Sequence, residues 1–150
     1  MMQLSRETLS TFLERFKALK ADTRPKWGKL TPTGLARHIR YAIEISLGEA
    51  VEEDRSTFIS RHILSVLFLR VFTRWPGGKI KAPPTWTPEP SDDFRLEMKL
   101  MTDALKRFTE AADRDPNRTT VSPFMGPLTL TYWKRVHGVH IAHHFRQFGL

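Results

Sequence analysis

The sequence predicts an all-α fold, arranged as a single helical domain over residues 1–150. Apolar residues recur at three- and four-residue intervals in five segments, and no segment shows sustained alternation of apolar and polar residues. Hydrophobic residues make up 40% of the chain and charged residues 27%, which is typical of a soluble globular protein rather than a disordered or membrane protein.

The first two predicted helices are marked by their caps. The first runs from about Arg6 to Leu19, with Ser5 as its N-cap. The second begins at Thr31, an N-cap followed by Pro32 at the first helical position, and stops at Gly48, a residue that suits a C-terminal cap.

The middle of the chain contains a helical pattern and then a long proline-rich stretch. From Ser56 to Thr73 apolar residues cover most of the helical circumference, which predicts a central helix packed on several sides. The stretch from Trp75 to Pro90 has too many prolines for a helix and predicts a long loop. A crossover connection is the favoured interpretation of this loop. The alternative is a lid or pocket wall that carries Trp86.

The last two predicted helices flank a second irregular stretch, DRDPNRTTVSPFMGP. The fourth helix begins after Ser91, where Asp92 and Asp93 suit the positive end of the helix dipole. The last helix runs from the cap residue Thr129 to Gln147. The apolar stripe of the fourth helix consists of Phe94, Met98, Met101, Leu105 and Phe108.

Histidines on two of these helices suggest a metal site. Four of the six histidines fall within HGVHIAHH on the last helix, and His140 and His144 lie one turn apart on its apolar stripe. His38 lies in the middle of the apolar stripe of the second helix. Burying an imidazole without a partner costs about 1–3 kcal/mol, and a shared divalent metal would satisfy all three. Without cysteine, a metal site in this chain must use histidine, carboxylate or water.

Other interpretations of these histidines remain open. His38 could donate to a backbone carbonyl while His140 and His144 line a wet groove, although three inward histidines together favour the metal. His137, about 60° from His140, could substitute as a ligand. His143 points away from that face and is expected to be exposed, and His62 is expected to be structural.

Two further side chains could orient a ligand or a substrate. Tyr41 lies about 60° from His38 on its helix, and Gln147 is three residues beyond His144. For each, an ordinary structural role is equally compatible with the sequence.

The stretch PFMGPLTLTYWKRVHGVHIAHHFRQFGL, together with LTPTGLARHIRYAIEISLGEA, resembles the DinB-like superfamily of metal-dependent enzymes. The HxxxHxxQ pattern that ends at Gln147 is the most recognisable element. The resemblance implies a four-helix bundle with an additional helix and long connecting loops. It also implies that His38, His140 and His144 bind the metal, typically nickel or zinc.

Three neutral histidine ligands leave a coordination position open, as in catalytic metal sites. A metal there can lower the pKa of bound water toward about 7 or deprotonate a bound thiol. Hydrolysis and thiol transfer of a small molecule are therefore both open. The resemblance implies a thiol-dependent S-transferase or an isomerase, and the net charge of +8 would suit an anionic low-molecular-weight thiol. The alternative is a non-catalytic metal-binding or interaction module, because no general base stands out and Glu44 lies away from the His38 face.

The remaining expectations concern location and larger partners. The N-terminus lacks signal-peptide features and no apolar run is long enough to cross a membrane, so the chain is expected to be cytoplasmic. Lysine and arginine are spread along the chain without a long basic block, which disfavours nucleic-acid binding. Homodimerisation is compatible with the resemblance, but no apolar stripe can be assigned to an interface.

Overall fold

The computed structural model describes residues 3–67, 86 and 89–150. Most of these residues are helical, which confirms the prediction of a largely helical fold. The described part contains four α-helices, α1 Arg6–Phe16, α2 Pro32–Leu47, α3 Phe94–Arg114 and α4 Leu130–Phe148, and a short π-helical segment, Ser60–Leu64.

The helices begin and end close to the residues that the sequence predicts. Thr31, Asp93 and Thr129 each accept a hydrogen bond from a backbone N–H in the first turn of their helix. Gly48 ends α2 with a φ of 73°, in the left-handed region where glycine carries no steric penalty. Helix α1 ends at Phe16, earlier than predicted, and turns follow it.

The core lies between the four helices. Helix α3 packs against α1, α2 and α4, and α2 also packs against α4. Each helix contributes apolar side chains that are at most 2% exposed, so the four helices bury a common core. These side chains include Phe12, Phe16, Leu35, Ile39, Ile43, Ile45, Met101, Leu105, Phe108, Ile141 and Phe145.

A small antiparallel hairpin corrects the all-α prediction. Strands β1 Thr119–Ser122 and β2 Gly126–Thr129 pair with Ser122 opposite Gly126. Strand β1 and the first half of β2 lie in the stretch that the sequence predicts to be irregular. Each strand has only four residues, which is too short for an alternating pattern to be recognised. Strand β1 contacts α2 and strand β2 contacts α4, so the hairpin lies beside both histidine-bearing helices.

Four apolar side chains in the described part of the predicted third helix are exposed. Phe58, Ile59, Ile63 and Val66 have exposed fractions of 74%, 58%, 50% and 46%. The expectation of a helix packed on several sides is therefore wrong over this part. An apolar circumference predicts buried surface, but it cannot show whether other elements cover that surface.

Some of the expectations for the middle of the chain fall on residues outside the described ranges. This applies to the predicted third helix beyond residue 67 and to the predicted loop Trp75–Pro90, apart from Trp86, Glu89 and Pro90. Among the described residues, no helix has the length and hydropathy needed to span a membrane.

Candidate metal centre

The contact between α2 and α4 brings together the three predicted metal ligands. His38 and His144 are only 4% and 7% exposed, and His140 between them is half-buried. The Nε2 atom of His140 lies 2.9 Å from Nε2 of His38 and 3.0 Å from Nε2 of His144. One nitrogen from each ring lies within 4.8 Å of the others, so the three side chains could hold one metal ion.

Hydrogen bonds on the far side of two rings determine which nitrogens carry hydrogen. The Nδ1 atom of His38 lies 2.6 Å from the carbonyl oxygen of Trp86, which can only accept. The Nδ1 atom of His144 lies 2.8 Å from Oε1 of Gln147, and Nε2 of that amide donates to the Trp27 carbonyl at 3.0 Å. Both Nδ1 atoms therefore carry the hydrogen of a neutral ring, and both Nε2 atoms present a lone pair.

These two lone pairs both point at His140. A neutral His140 ring can donate a hydrogen from Nε2 to one of its neighbours but cannot satisfy both fully. A cation placed between the three rings removes this conflict, because each Nε2 can then act as an electron-pair donor. The arrangement matches histidine metal sites, where the nitrogen that does not bind the metal donates to a fixed oxygen.

The surroundings keep these rings neutral. Burial lowers the pKa of His38, although the hydrogen bond to the Trp86 carbonyl partly offsets this. Burial also holds the pKa of His140 and His144 well below the usual value, and repulsion from neighbouring imidazoles adds to the effect. Neutral imidazole is the form that binds metal ions, so the cluster needs no deprotonation near pH 7.

The structure separates His137, the proposed alternative ligand, from this cluster. Its Nε2 atom lies 2.8 Å from Oγ of Ser46, whose hydroxyl donates to the Ile43 carbonyl at 2.7 Å. His137 therefore donates to Ser46. Its ring stacks on Trp133 and meets the edge of Phe108, and burial lowers its pKa to about 3.

The two side chains expected to orient a ligand differ. Gln147 contacts His144 directly, as the spacing suggested. The hydroxyl of Tyr41 instead donates to the carboxylate of Glu52, and that bond contributes most to raising the pKa of Tyr41 to about 12. In the described structure the Tyr41 hydroxyl therefore contacts a carboxylate and not His38.

Three other predictions concern residues that were expected to lie away from the cluster. His143 is half-buried rather than exposed, because its side of α4 also borders a cavity, and Trp27 approaches its ring with 6.0 Å between centroids. Glu44 does point elsewhere, and it pairs with Arg37. His62 packs against Phe58 on the exposed segment.

A cavity of about 110 Å³ opens in front of the cluster. Trp86 forms part of its wall, as the pocket-wall interpretation of the loop predicts. The favoured interpretation, a simple crossover connection, does not account for this position of Trp86. A backbone carbonyl was one of the partners expected for His38, and the structure identifies it as the carbonyl of Trp86. Residue type alone cannot show which carbonyl this is. The described lining consists of His38, Ala42, Trp86, Ser122, Phe124, Met125, Trp133, Val136, His137, His140, His143 and His144.

The fold and the site together define a largely helical protein with three convergent histidines that could hold a metal ion. The chain belongs to the DUF1569 family of proteins of unknown function, whose family model matches residues 1–149. No curated protein and no solved structure matches the chain.

Proposed function

We propose that this protein binds one divalent metal ion through the Nε2 atoms of His38, His140 and His144. The convergence of the three Nε2 atoms carries the proposal, because the hydrogens of His38 and His144 are committed to carbonyl oxygens on the opposite side. Without a cation, the lone pairs of two buried rings compete for one hydrogen of the third. With a metal ion, all three nitrogens act as ligands.

Nickel or zinc is the proposed metal. Imidazole nitrogens suit both ions, and the described ligand group contains no carboxylate, the ligand type that favours magnesium, calcium or manganese. The resemblance to the DinB-like superfamily supports the same pair of metals.

We further propose that α1 to α4 form a DinB-like four-helix bundle with additional elements. Mutual packing of the four helices supports this assignment, as does the origin of the ligands, one from α2 and two from α4. In this assignment the hairpin and the segment around Ser60–Leu64 are additions to the bundle.

The proposed activity is that of a metal-dependent enzyme, either a thiol-dependent S-transferase or a hydrolase, acting on a small molecule. Three ligands leave a coordination position for water or substrate, and a cavity adjoins the ligands. A bound metal would supply Lewis acidity toward a water or a thiol. His38, His140 and His144 would hold it, Gln147 would orient His144, and the apolar walls would limit access of bulk water.

A metal-binding module without turnover is the second candidate. The described lining of the cavity contains no carboxylate and no lysine that could serve as a general base. His143 and His137 are the other titratable groups in that lining, and His137 already donates to Ser46.

Metal content measured by elemental mass spectrometry tests the proposal. The purified protein is compared with the His38→Ala, His140→Ala and His144→Ala variants, and His62→Ala serves as a control with an exposed histidine outside the cluster. We expect near-stoichiometric nickel or zinc in the native protein and in His62→Ala, and loss of metal in the other three. Absence of metal after incubation with both ions, or equal metal content in all variants, would contradict the site.

Turnover separates the two candidates once metal binding is established. Metal-loaded protein is assayed with small thiols as cosubstrates and with hydrolysable esters and amides. Activity that disappears on chelation and returns with the metal supports the enzyme, whereas stoichiometric metal without activity supports the non-catalytic module.

A further inference from the structure

We propose that the cavity in front of the histidines receives a small, uncharged, apolar end of the substrate and excludes ionised groups. The inference rests on the proposed metal site, because that site would place the open coordination position at the cavity. The inference concerns only the part of a substrate that enters the cavity. A charged remainder of the same molecule would stay outside the cavity.

The size of the cavity sets the first limit. Its volume of about 110 Å³ is well below that of pockets for drug-sized ligands, which are roughly 300–1,000 Å³. An apolar cavity of about 150 Å³ accommodates benzene, so this cavity suits a group of about four to six non-hydrogen atoms. A whole thiol cofactor of peptide or sugar type is too large for it.

The walls set the second limit, because they are largely aromatic and aliphatic. Trp86 and Phe124 lie side by side with 5.1 Å between ring centroids, and Trp133, Met125 and Val136 complete this surface. Such walls favour apolar groups through burial of surface area.

The polar atoms at this wall are mostly used within the protein. The indole N–H of Trp133 donates to Oγ1 of Thr120 at 2.8 Å, and His137 donates to Ser46. These two side chains therefore present ring surface rather than hydrogen-bond donors to an occupant.

Charge sets the third limit. The chain has a net charge of +8, yet the described lining of the cavity includes no lysine, arginine, aspartate or glutamate. An ionised carboxylate moved into such a wall loses hydration without gaining a counter-charge, which is costly. The overall positive charge would therefore attract anions to the surface but would not accommodate them beside the histidines.

Ser122 supplies one polar contact. It is 1% exposed, and its Oγ accepts a hydrogen bond from the backbone N–H of Met125 at 3.2 Å. Its hydroxyl hydrogen has no acceptor in the described part of the structure, so it is available to an occupant. Nδ1 of His143, in the same lining, is also buried without a hydrogen-bond partner in the described structure. An apolar group carrying one or two neutral hydrogen-bonding atoms therefore fits this wall.

The test uses cobalt(II)-loaded protein titrated with two thiols of similar length, 1-butanethiol and 3-mercaptopropionate. Absorption from thiolate-to-cobalt charge transfer reports binding at the metal without requiring turnover. We expect the Kd of 1-butanethiol to be at least about tenfold lower than that of 3-mercaptopropionate. Equal affinities, or tighter binding of 3-mercaptopropionate, would overturn the inference.

A matched pair of variants at Phe124 tests the role of the wall. Phe124 is 37% exposed, so a longer polar side chain can be accommodated there without entering the core. In Phe124→Lys we expect the preference for 1-butanethiol to fall at least about fivefold, while Phe124→Leu keeps most of it. The same preference in both variants would show that the described wall does not select the occupant.

Failure of the metal site is distinguishable from failure of this inference. If the protein binds no cobalt, the proposed function is wrong, and the cavity is then probed in metal-free protein with 1-butanol and butyrate, which both meet the size limit, by ligand-observed NMR. Binding of 1-butanol but not butyrate, weakened in Phe124→Lys, would retain an apolar cavity. Binding of neither, equal binding of both, or binding of butyrate alone would reject it.

Discussion

Helices α2 and α4 meet at two groups of residues, His137 with Ser46 and His38 with His140 and His144, and the two groups differ in how their hydrogen-bonding needs are met. At one group, His137 donates to Ser46, which in turn donates to the Ile43 carbonyl. At the other, His38 and His144 direct lone pairs at His140. The first group is satisfied by a hydroxyl of the protein. The second needs a hydrogen-bond donor, or a cation, that the three rings do not supply.

This difference teaches that burial and pKa alone do not distinguish a structural histidine from a metal ligand. Burial lowers the pKa of His137 as it lowers those of His38, His140 and His144. Counting donors and acceptors around each ring does distinguish them, because the second group has two committed acceptors and one donor. The predictions below separate the two groups by metal affinity and by stability.

The largest expected effect is on metal affinity. Loss of an outer hydrogen-bond partner typically costs about 10–100-fold, so we expect removal of a ligand in His140→Ala to cost more than about 100-fold. His137→Gln, on the same helix but outside the cluster, should stay within about threefold of the native protein. Titration against a competing chelator measures both. A similar loss in the two variants would remove the distinction between the groups.

The stability of metal-free protein should show the opposite order. His137→Ala removes a ring packed between Phe108 and Trp133 and the donor to Ser46, and we expect it to lower the free energy of unfolding by about 2–4 kcal/mol. His140→Ala removes the donor to the lone pairs of His38 and His144, but His140 is half-buried and borders the cavity, so water can replace that donor and the cost should be smaller, about 1 kcal/mol. Urea denaturation after chelation measures both values, and a larger cost for His140→Ala would contradict the comparison.

Gln147 tests whether the outer hydrogen bond matters to the cluster. In Gln147→Ala the hydrogen on Nδ1 of His144 loses its acceptor, and we expect metal affinity to fall about 10–100-fold. Gln147→Glu keeps an acceptor for His144 but loses the donor to the Trp27 carbonyl, so it should retain most of the affinity. Titration against a competing chelator measures the metal affinity of both variants. An equal loss of affinity in the two would contradict this role of Gln147.

Much of the helical framework could be predicted because caps and periodicity are local signals. Thr31, Gly48 and Thr129 mark boundaries that the structure confirms, whereas the helix predicted to begin after Ser91 begins after Asp93. The one-turn spacing on the last helix placed His140 and His144 on one face, and the apolar stripe of α2 added His38. These inferences need only the geometry of a single helix at a time.

The parts that were missed depend on contacts between distant segments. A backbone carbonyl was among the expected partners of His38, but residue type could not show that it is the carbonyl of Trp86, 48 positions away. Tyr41 has the right helical angle, but Glu52 competes for its hydroxyl. The helical angle of His143 predicted an exposed side chain. That angle does not show that a cavity borders the same side of α4.

The smallest expected effect is on how stability changes with pH in the metal-free protein. Burial lowers the pKa of His137 to about 3, whereas an unfolded histidine has a pKa of about 6.5. Between these values the unfolded chain binds a proton that the folded chain does not, so stability falls as pH falls. One such histidine contributes a slope of up to about 1.4 kcal/mol per pH unit.

His137→Gln isolates this contribution, because glutamine does not titrate. Both proteins are denatured with urea at pH values between about 5 and 6.5, an interval that lies above the range in which most carboxylates titrate. We expect the native protein to lose more stability over this interval than the variant, by about 1–2 kcal/mol. The other buried histidines should still give the variant a slope of the same sign, since burial lowers their pKa values too. Parallel pH dependence in the two proteins would mean that His137 accepts a proton in the folded state. The hydrogen-bonding needs of its group would then not be fully met by Ser46.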